Sequence, residues 1–138
     1  MKLLLAFIIL IFSASCMAHP LEADSLLGDD DCTEITASFQ LDECVSKELV
    51  SSNSLLANEL EKFEQRAKNV YAADQELGKK FINTVRAAQE AWLIFRDRSC
   101  KIEAFEVEPE TPAYVTTINS CVIRMNSERG EELKYLLR

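Results

Sequence analysis

Apolar residues recur at helical spacing along most of the chain, and no segment of any length keeps the period of two that a strand requires. Leu56, Leu60, Phe63, Ala67 and Val70 follow one another in steps of four and three. Glu61, Lys62, Glu64, Arg66 and Lys68 fill the positions between, as expected of a helix with one buried face. A helix beginning near Ser38 leads into this stripe through Leu41, Cys44, Leu49 and Val50. Between them, Ser51-Ser52-Asn53 reads either as the cap of a new helix or as the exposed face of a continuing one. A break is expected between Tyr71 and Gly78. The second stripe is Leu77, Phe81, Val85, Ala88, Trp92 and Phe95, extending to Cys100, Ile102 or Phe105. The Glu106–Pro112 segment ends it, because proline disfavours helix at the preceding residue. Thr111-Pro112 opens a last helix, with a capping hydroxyl and a proline at the first helical position. Val115, Ile118, Val122, Met125, Arg129, Leu133 and Leu136 form its stripe. The expected fold is all-α, a small antiparallel bundle of about three main helices with short connections.

Ahead of the bundle, residues 1–18 have the anatomy of a signal peptide, with Lys2 followed by the apolar run Leu3 to Phe12. That run is short of the roughly 20 residues that span a bilayer. Cys16-Met17-Ala18 suits cleavage before His19. Ser13-Ala14-Ser15-Cys16 alternatively resembles a lipoprotein box with Cys16 as the lipidated residue, although Ser13 stands where leucine is usual. Residues 19–31 are acidic and lack an apolar period, which reads as a flexible arm and leaves 32–138 as the helical domain. Gly28-Asp29-Asp30-Asp31 has neither the alternating acids nor the distal glutamate of a calcium loop.

Four cysteines remain after such a leader: Cys32, Cys44, Cys100 and Cys121. An even set in a small exported chain implies a disulfide framework, with three connectivities open. Pairing between sequence neighbours, Cys32 with Cys44 and Cys100 with Cys121, closes short loops and places one clip at each end. Each would contribute about 2–4 kcal/mol. No Cys-x-x-Cys pair occurs and the only histidine is His19, so a zinc site is not expected, nor any other metal or cofactor.

Charge narrows the partners. The formal net charge is −8, and −9 once Lys2 leaves with the leader. Such a surface repels nucleic acid and anionic membrane, so membrane association is expected only through a lipid on Cys16. A basic protein is the partner it suits. No histidine is placed near a nucleophile and no glycine-rich phosphate loop occurs. Carboxylate pairs are inevitable among 23 acidic residues and point to nothing. The chain therefore reads as a binding module, without catalytic residues or a small-molecule substrate.

Two groups of residues stand out. Trp92 belongs to the apolar stripe and reads as core, with Gln89, Arg96 and Asp97 along one edge of the buried face. An enclosed Arg96 needs an acceptor, for which Asp97, Glu128 and Glu131 are candidates, in a network that pins the last helix to the one before it. The second group is Glu103, Phe105, Glu106, Glu108 and Glu110, which lie with Val107 between Cys100 and Cys121. Phe105 and Val107 look exposed. A clipped, acidic, partly apolar loop suits entry into a basic cleft at low entropic cost, against the plainer reading of a solvated connection.

The run Arg86-Ala87-Ala88-Gln89-Glu90-Ala91-Trp92-Leu93-Ile94-Phe95-Arg96-Asp97-Arg98-Ser99-Cys100 resembles the core pattern L-R-x-A-Q-x-x-W-x-x-Y/F-R-D-x-x-C of the LprI-type lysozyme-inhibitor family, with Val85 in the opening place. Cys121 to Leu133, with Met125, Arg129 and Glu132, is similar to its closing C-x-x-x-L/M-T-x-x-R-x-x-E-L. Cys32 and Gln40-Leu41-Asp42-Glu43-Cys44 are similar to its opening C … M-N-x-C, with Asp42 in place of the asparagine. The family's Leu-Asn pair in the first long helix is blurred around Leu56-Ala57-Asn58. Its usual Gly-Gly-Ser between the last two cysteines is replaced by the acidic Pro109–Pro112 region. The resemblance implies a periplasmic or secreted, disulfide-bonded helical domain that binds a lysozyme or another basic peptidoglycan-cleaving enzyme. The alternative is a non-inhibitory envelope module that binds a different exported protein.

Overall fold

The computed structural model describes residues 32–35 and 37–137. The expected leader with Cys16, and the acidic arm over 19–31, lie outside the described residues. A 3-10 turn, Cys32–Glu34, precedes three helices: α1 (Ser38–Val70), α2 (Gln75–Glu103) and α3 (Pro112–Tyr135). No strand occurs among the described residues. The all-α, three-helix expectation holds.

Local chemistry sets the boundaries. α1 runs unbroken through Ser51-Ser52-Asn53, so these residues continue a helix rather than cap one. Ser52 is buried and its hydroxyl donates back to the Leu49 carbonyl at 3.0 Å. α2 begins where the Asp74 carboxylate accepts from the Leu77 N–H at 3.0 Å. The connection before it is tight. A Cβ on Gly78 would sit 2.9 Å from Tyr71 Cβ, so only glycine lets the two helices approach there. At α3 the Thr111 hydroxyl accepts from the Tyr114 N–H at 3.2 Å, and Pro112 opens the first turn.

The topology is up-down-up. α1 and α3 run parallel and share the largest interface, in which Thr116 donates to Asp42, Asn126 to Ser52, and Arg66 to the Leu133 carbonyl, in rising order on both helices. α2 runs antiparallel to both. It meets α1 near their connection, where Phe81 packs between Phe63 and Tyr71 with ring centroids at 6.1 and 5.2 Å. Its second half is held mainly by α3. Leu56, Phe63 and Leu133 form one buried cluster, and Cys100, Cys121 and Val122 a second.

Both disulfides follow the sequence-local pairing: Cys32–Cys44 and Cys100–Cys121, with Cα–Cα distances of 5.9 and 5.5 Å. The second is wholly enclosed and joins the end of α2 to the middle of α3. Oxidised, the four sulfurs are not available as zinc thiolates.

The predicted stripes need correction. Leu77, Ala88 and Phe95 are exposed, and the inward face of α2 is instead Ile82, Val85, Gln89, Trp92, Arg96 and Cys100. Apolar residues cover more than half of this helix's circumference, so spacing alone does not select the side that packs. Val70, Val115 and Leu136 are also exposed, at or near helix ends where no neighbour reaches. Glu64, expected on the outer side of α1, is buried and takes a bidentate pair of hydrogen bonds from Arg86 at 2.7 and 2.6 Å. That guanidinium holds the Glu64 carboxyl below its ordinary range, against the opposing effect of burial.

Candidate functional site

Within the recognisable Gln89–Cys100 run, Gln89, Trp92, Arg96 and Cys100 face inward, and Gln89 and Arg96 build a polar network that spans all three helices. Arg96, whose side chain is only 12% exposed, donates through Nη1 to Asn126 Oδ1 at 2.7 Å. Asn126 is itself buried, and its Nδ2 donates to Ser52 Oγ at 3.2 Å and to Asn53 Oδ1 at 3.0 Å. Arg96 also donates to Asp97 Oδ1, from Nε at 2.9 Å and from Nη2 at 2.7 Å. One turn along α3, Arg129 donates to Gln89 Oε1 at 3.0 Å and to Glu132 at 2.7 Å. The Trp92 ring lies between the two arginines, with each guanidinium carbon 5.8 Å from its centroid.

The five motif residues expected to act together, Gln89, Trp92, Arg96, Asp97 and Arg129, are therefore in one cluster. Two details differ from expectation. Trp92 is half-buried at the rim of the core, and Asp97 is exposed, reaching Arg96 from the solvent side. Glu128 pairs with Arg124 and Glu131 with Lys134, so neither serves Arg96. Asn126 and Ser52, which complete the network, were not singled out by spacing or charge. A buried asparagine and serine at matching heights on parallel helices become visible only once the register is known. The donors and acceptors in this cluster largely satisfy one another, which suits a fastening between helices more than a ligand site.

The second group lies where α2 gives way to α3. Ala104 is buried and closes α2 with its N–H on the Cys100 carbonyl at 3.1 Å. The Val107 N–H returns to the Ala104 carbonyl at 3.0 Å, and the Thr111 hydroxyl donates to the Glu108 carbonyl at 2.7 Å. The loop is thus tied to the protein at both ends, above the buried disulfide. Glu110 has a left-handed φ of 64°, a conformation that costs a non-glycine residue and is held by these surroundings. Phe105 is 84% exposed, the most exposed large apolar side chain among the described residues. Val107, expected to be exposed with it, is half-buried.

The loop's acids divide into two kinds. Glu103 is bound to Arg124 at 2.7 Å and so fastens α2 to α3. Glu106, Glu108 and Glu110 are exposed and form no ion pair among the described residues. They give the loop unpaired negative charge beside an exposed aromatic residue in the chain.

No cluster of three metal-ligating side chains is present among the described residues, and no described helix is long and apolar enough to cross a membrane. A shallow cleft of about 430 Å³ lies between α1 and α3 near the first clip, lined by Cys32, Ile35, Leu41, Val45, Glu48, Ser120, Ile123 and Arg124.

Comparison with known proteins gives a consistent placement. A search of curated proteins found no match. Among solved structures, the chain is similar to the crystal structure of a DUF1311 family protein from Pseudomonas putida KT2440, with a TM-score of 0.64 and 25% identity. The match covers 70% of this chain and 90% of that one. The family model for lysozyme inhibitor LprI matches residues 29–133, which takes in α1, α2, α3 up to Leu133 and both clips, and the chain belongs to the LprI family.

Proposed function

We propose that this protein is exported and acts as a lysozyme inhibitor, binding a basic peptidoglycan-cleaving enzyme through the acidic loop between α2 and α3. Membership of the LprI family supports the target class. The observation that carries the choice of surface is the clipped loop itself, which holds the exposed Phe105 together with the exposed Glu106, Glu108 and Glu110 between the two cysteines of the Cys100–Cys121 bridge. Uncompensated carboxylates speed encounter with a basic cleft, and an aromatic ring on a tethered backbone supplies contact area at a smaller ordering cost. The protein needs no catalytic group for this role. Occlusion of the enzyme's cleft is sufficient.

Two disulfides and the leader-like residues 1–18 support export. Cleavage before His19 gives a free form, and a lipid on Cys16 would instead tether the same domain to a membrane.

A lysozyme activity assay with the oxidised protein lacking residues 1–18 tests the reading. Dose-dependent inhibition that weakens as salt rises towards about 0.5 M is expected, because screening then acts within roughly 5 Å. Absence of inhibition against several basic lysozymes would reject the reading in favour of a non-inhibitory envelope module.

A further inference from the structure

The side of α2 turned away from the bundle carries a second pattern. Ala88, Ala91, Phe95, Arg98 and Ile102 are exposed on α2 and follow one another in alternating steps of three and four, the spacing of a coiled-coil seam, and the exposed Phe105, in the turn just past the helix end, falls at the next step. Phe95, Ile102 and Phe105 are 60%, 75% and 84% exposed. The helix's carboxylates Glu90, Asp97 and Glu103 fall off this line. In a protein of net charge −8, the stripe is apolar with one arginine and no acid.

We propose that this face is a homodimer seam in which the α2 helices of two copies pair antiparallel. The order of sizes along the stripe carries the orientation. Small residues occupy its first half and large ones its second, so parallel pairing would set large against large. Antiparallel pairing places Phe105 of one copy over Ala88 of the other and Ile102 over Ala91, and stacks Phe95 beside Arg98. These three pairs share one midpoint, between Arg96 and Asp97, as a two-fold axis through a self-complementary interface demands. An anionic membrane would be met better by large residues along the whole helix than by a half made of alanine.

The area fits a weak dimer. The exposed parts of Phe95 and Phe105 amount to about 300 Å². With Ile102, Ile94 and the alanines, the strip approaches the roughly 600 Å² per copy of the smallest specific interfaces. No carboxylate lies on the stripe itself, but Glu106, Glu108 and Glu110 follow Phe105 in the chain, so their repulsion and that of the net charge oppose pairing and salt should favour it.

Sedimentation of the oxidised protein without residues 1–18, at about 10 µM and about 0.3 mM, tests this independently of any lysozyme binding. The weight-average mass should rise towards twice the monomer at the higher concentration. Ala88→Glu and Phe105→Lys each alter an exposed site, should keep the wild-type melting temperature, and should each abolish the rise. Their combination should restore it, because the two-fold axis then pairs each new lysine with a new glutamate. A wild type that stays monomeric at the higher concentration overturns the proposal and leaves the face to another protein. A dimer indifferent to both single changes overturns the seam, and failure of the double variant to restore association overturns the antiparallel register.

Discussion

The two sides of α2 are built from opposite materials. Its inward side carries the polar and charged groups, Gln89, Arg96 and the edge of Trp92, and these are paired through Asn126 and Arg129 to the other helices. Its outward side carries Phe95 and Ile102, with Phe105 in the turn just past its end, and these touch little of their own chain. Ile82, Val85 and Cys100 also lie on the inward side, so burial of apolar groups alone does not choose between the two. Internal satisfaction of the arginines, a buried disulfide and the tight Gly78 turn fix the orientation instead. The lesson is that the most recognisable run in the chain has two faces, one whose polar groups fasten the fold and one left free for a partner.

This contrast predicts that inward changes cost stability and outward changes cost association. Removal of the buried clip, by Cys100→Ser with Cys121→Ser, should have the largest effect, about 3 kcal/mol by urea denaturation. Hydrogen exchange should then rise most in the second half of α2, which α3 holds. Trp92→Ala should cost about 2 kcal/mol, less than the roughly 3–5 of a fully enclosed ring, since Trp92 is only half-buried. Asn126→Ala removes one acceptor from Arg96 and the partner of Ser52, and should cost about 1–2 kcal/mol. Phe95→Ala should change stability by less than about 0.5 kcal/mol in solution dilute enough to prevent the proposed pairing. A cost like that of Trp92→Ala would show that Phe95 packs inward and would collapse the distinction.

Glu64 offers a smaller test at the other end of α2. Its folded-state pKa is lowered by the Arg86 hydrogen bonds, so its contribution is present above the ordinary carboxylate pKa and is lost as pH falls through the lowered value. Wild type should therefore lose more melting temperature than Glu64→Gln between about pH 6 and pH 3. Parallel loss in both proteins would show that the pair is not linked to folding.

Much of this architecture was legible from spacing and caps. The start of α1 near Ser38, the break before Gly78, and the Thr111-Pro112 opening of α3 follow from local chemistry that tertiary contacts do not override. The cysteine pairing followed from loop length and an even count. The facing of α2 was not legible, because Leu77, Ala88 and Phe95 make as regular a stripe as the residues that are buried. Glu64 and Asn126 were missed for a related reason. A buried polar residue is announced by its partner, and Arg86 and Ser52 are 22 and 74 positions away. Asn126 stands at the threonine place of the family's closing pattern, a cue that hydrogen bonding is needed there but not with what. The acidic loop was visible as composition, whereas the tie of Glu103 to Arg124 separates a fastening residue from the three carboxylates left for a partner.

The most direct measurement is the association rate of the oxidised protein with a basic lysozyme, for wild type and for Glu106→Lys, Glu108→Lys, Glu110→Lys combined, at low salt and dilute concentration. Association should be slower by about tenfold or more in the variant, with an unchanged melting temperature, because steering charge is reversed at groups that hold nothing in the fold. An unchanged association rate in a folded variant would contradict the choice of this loop.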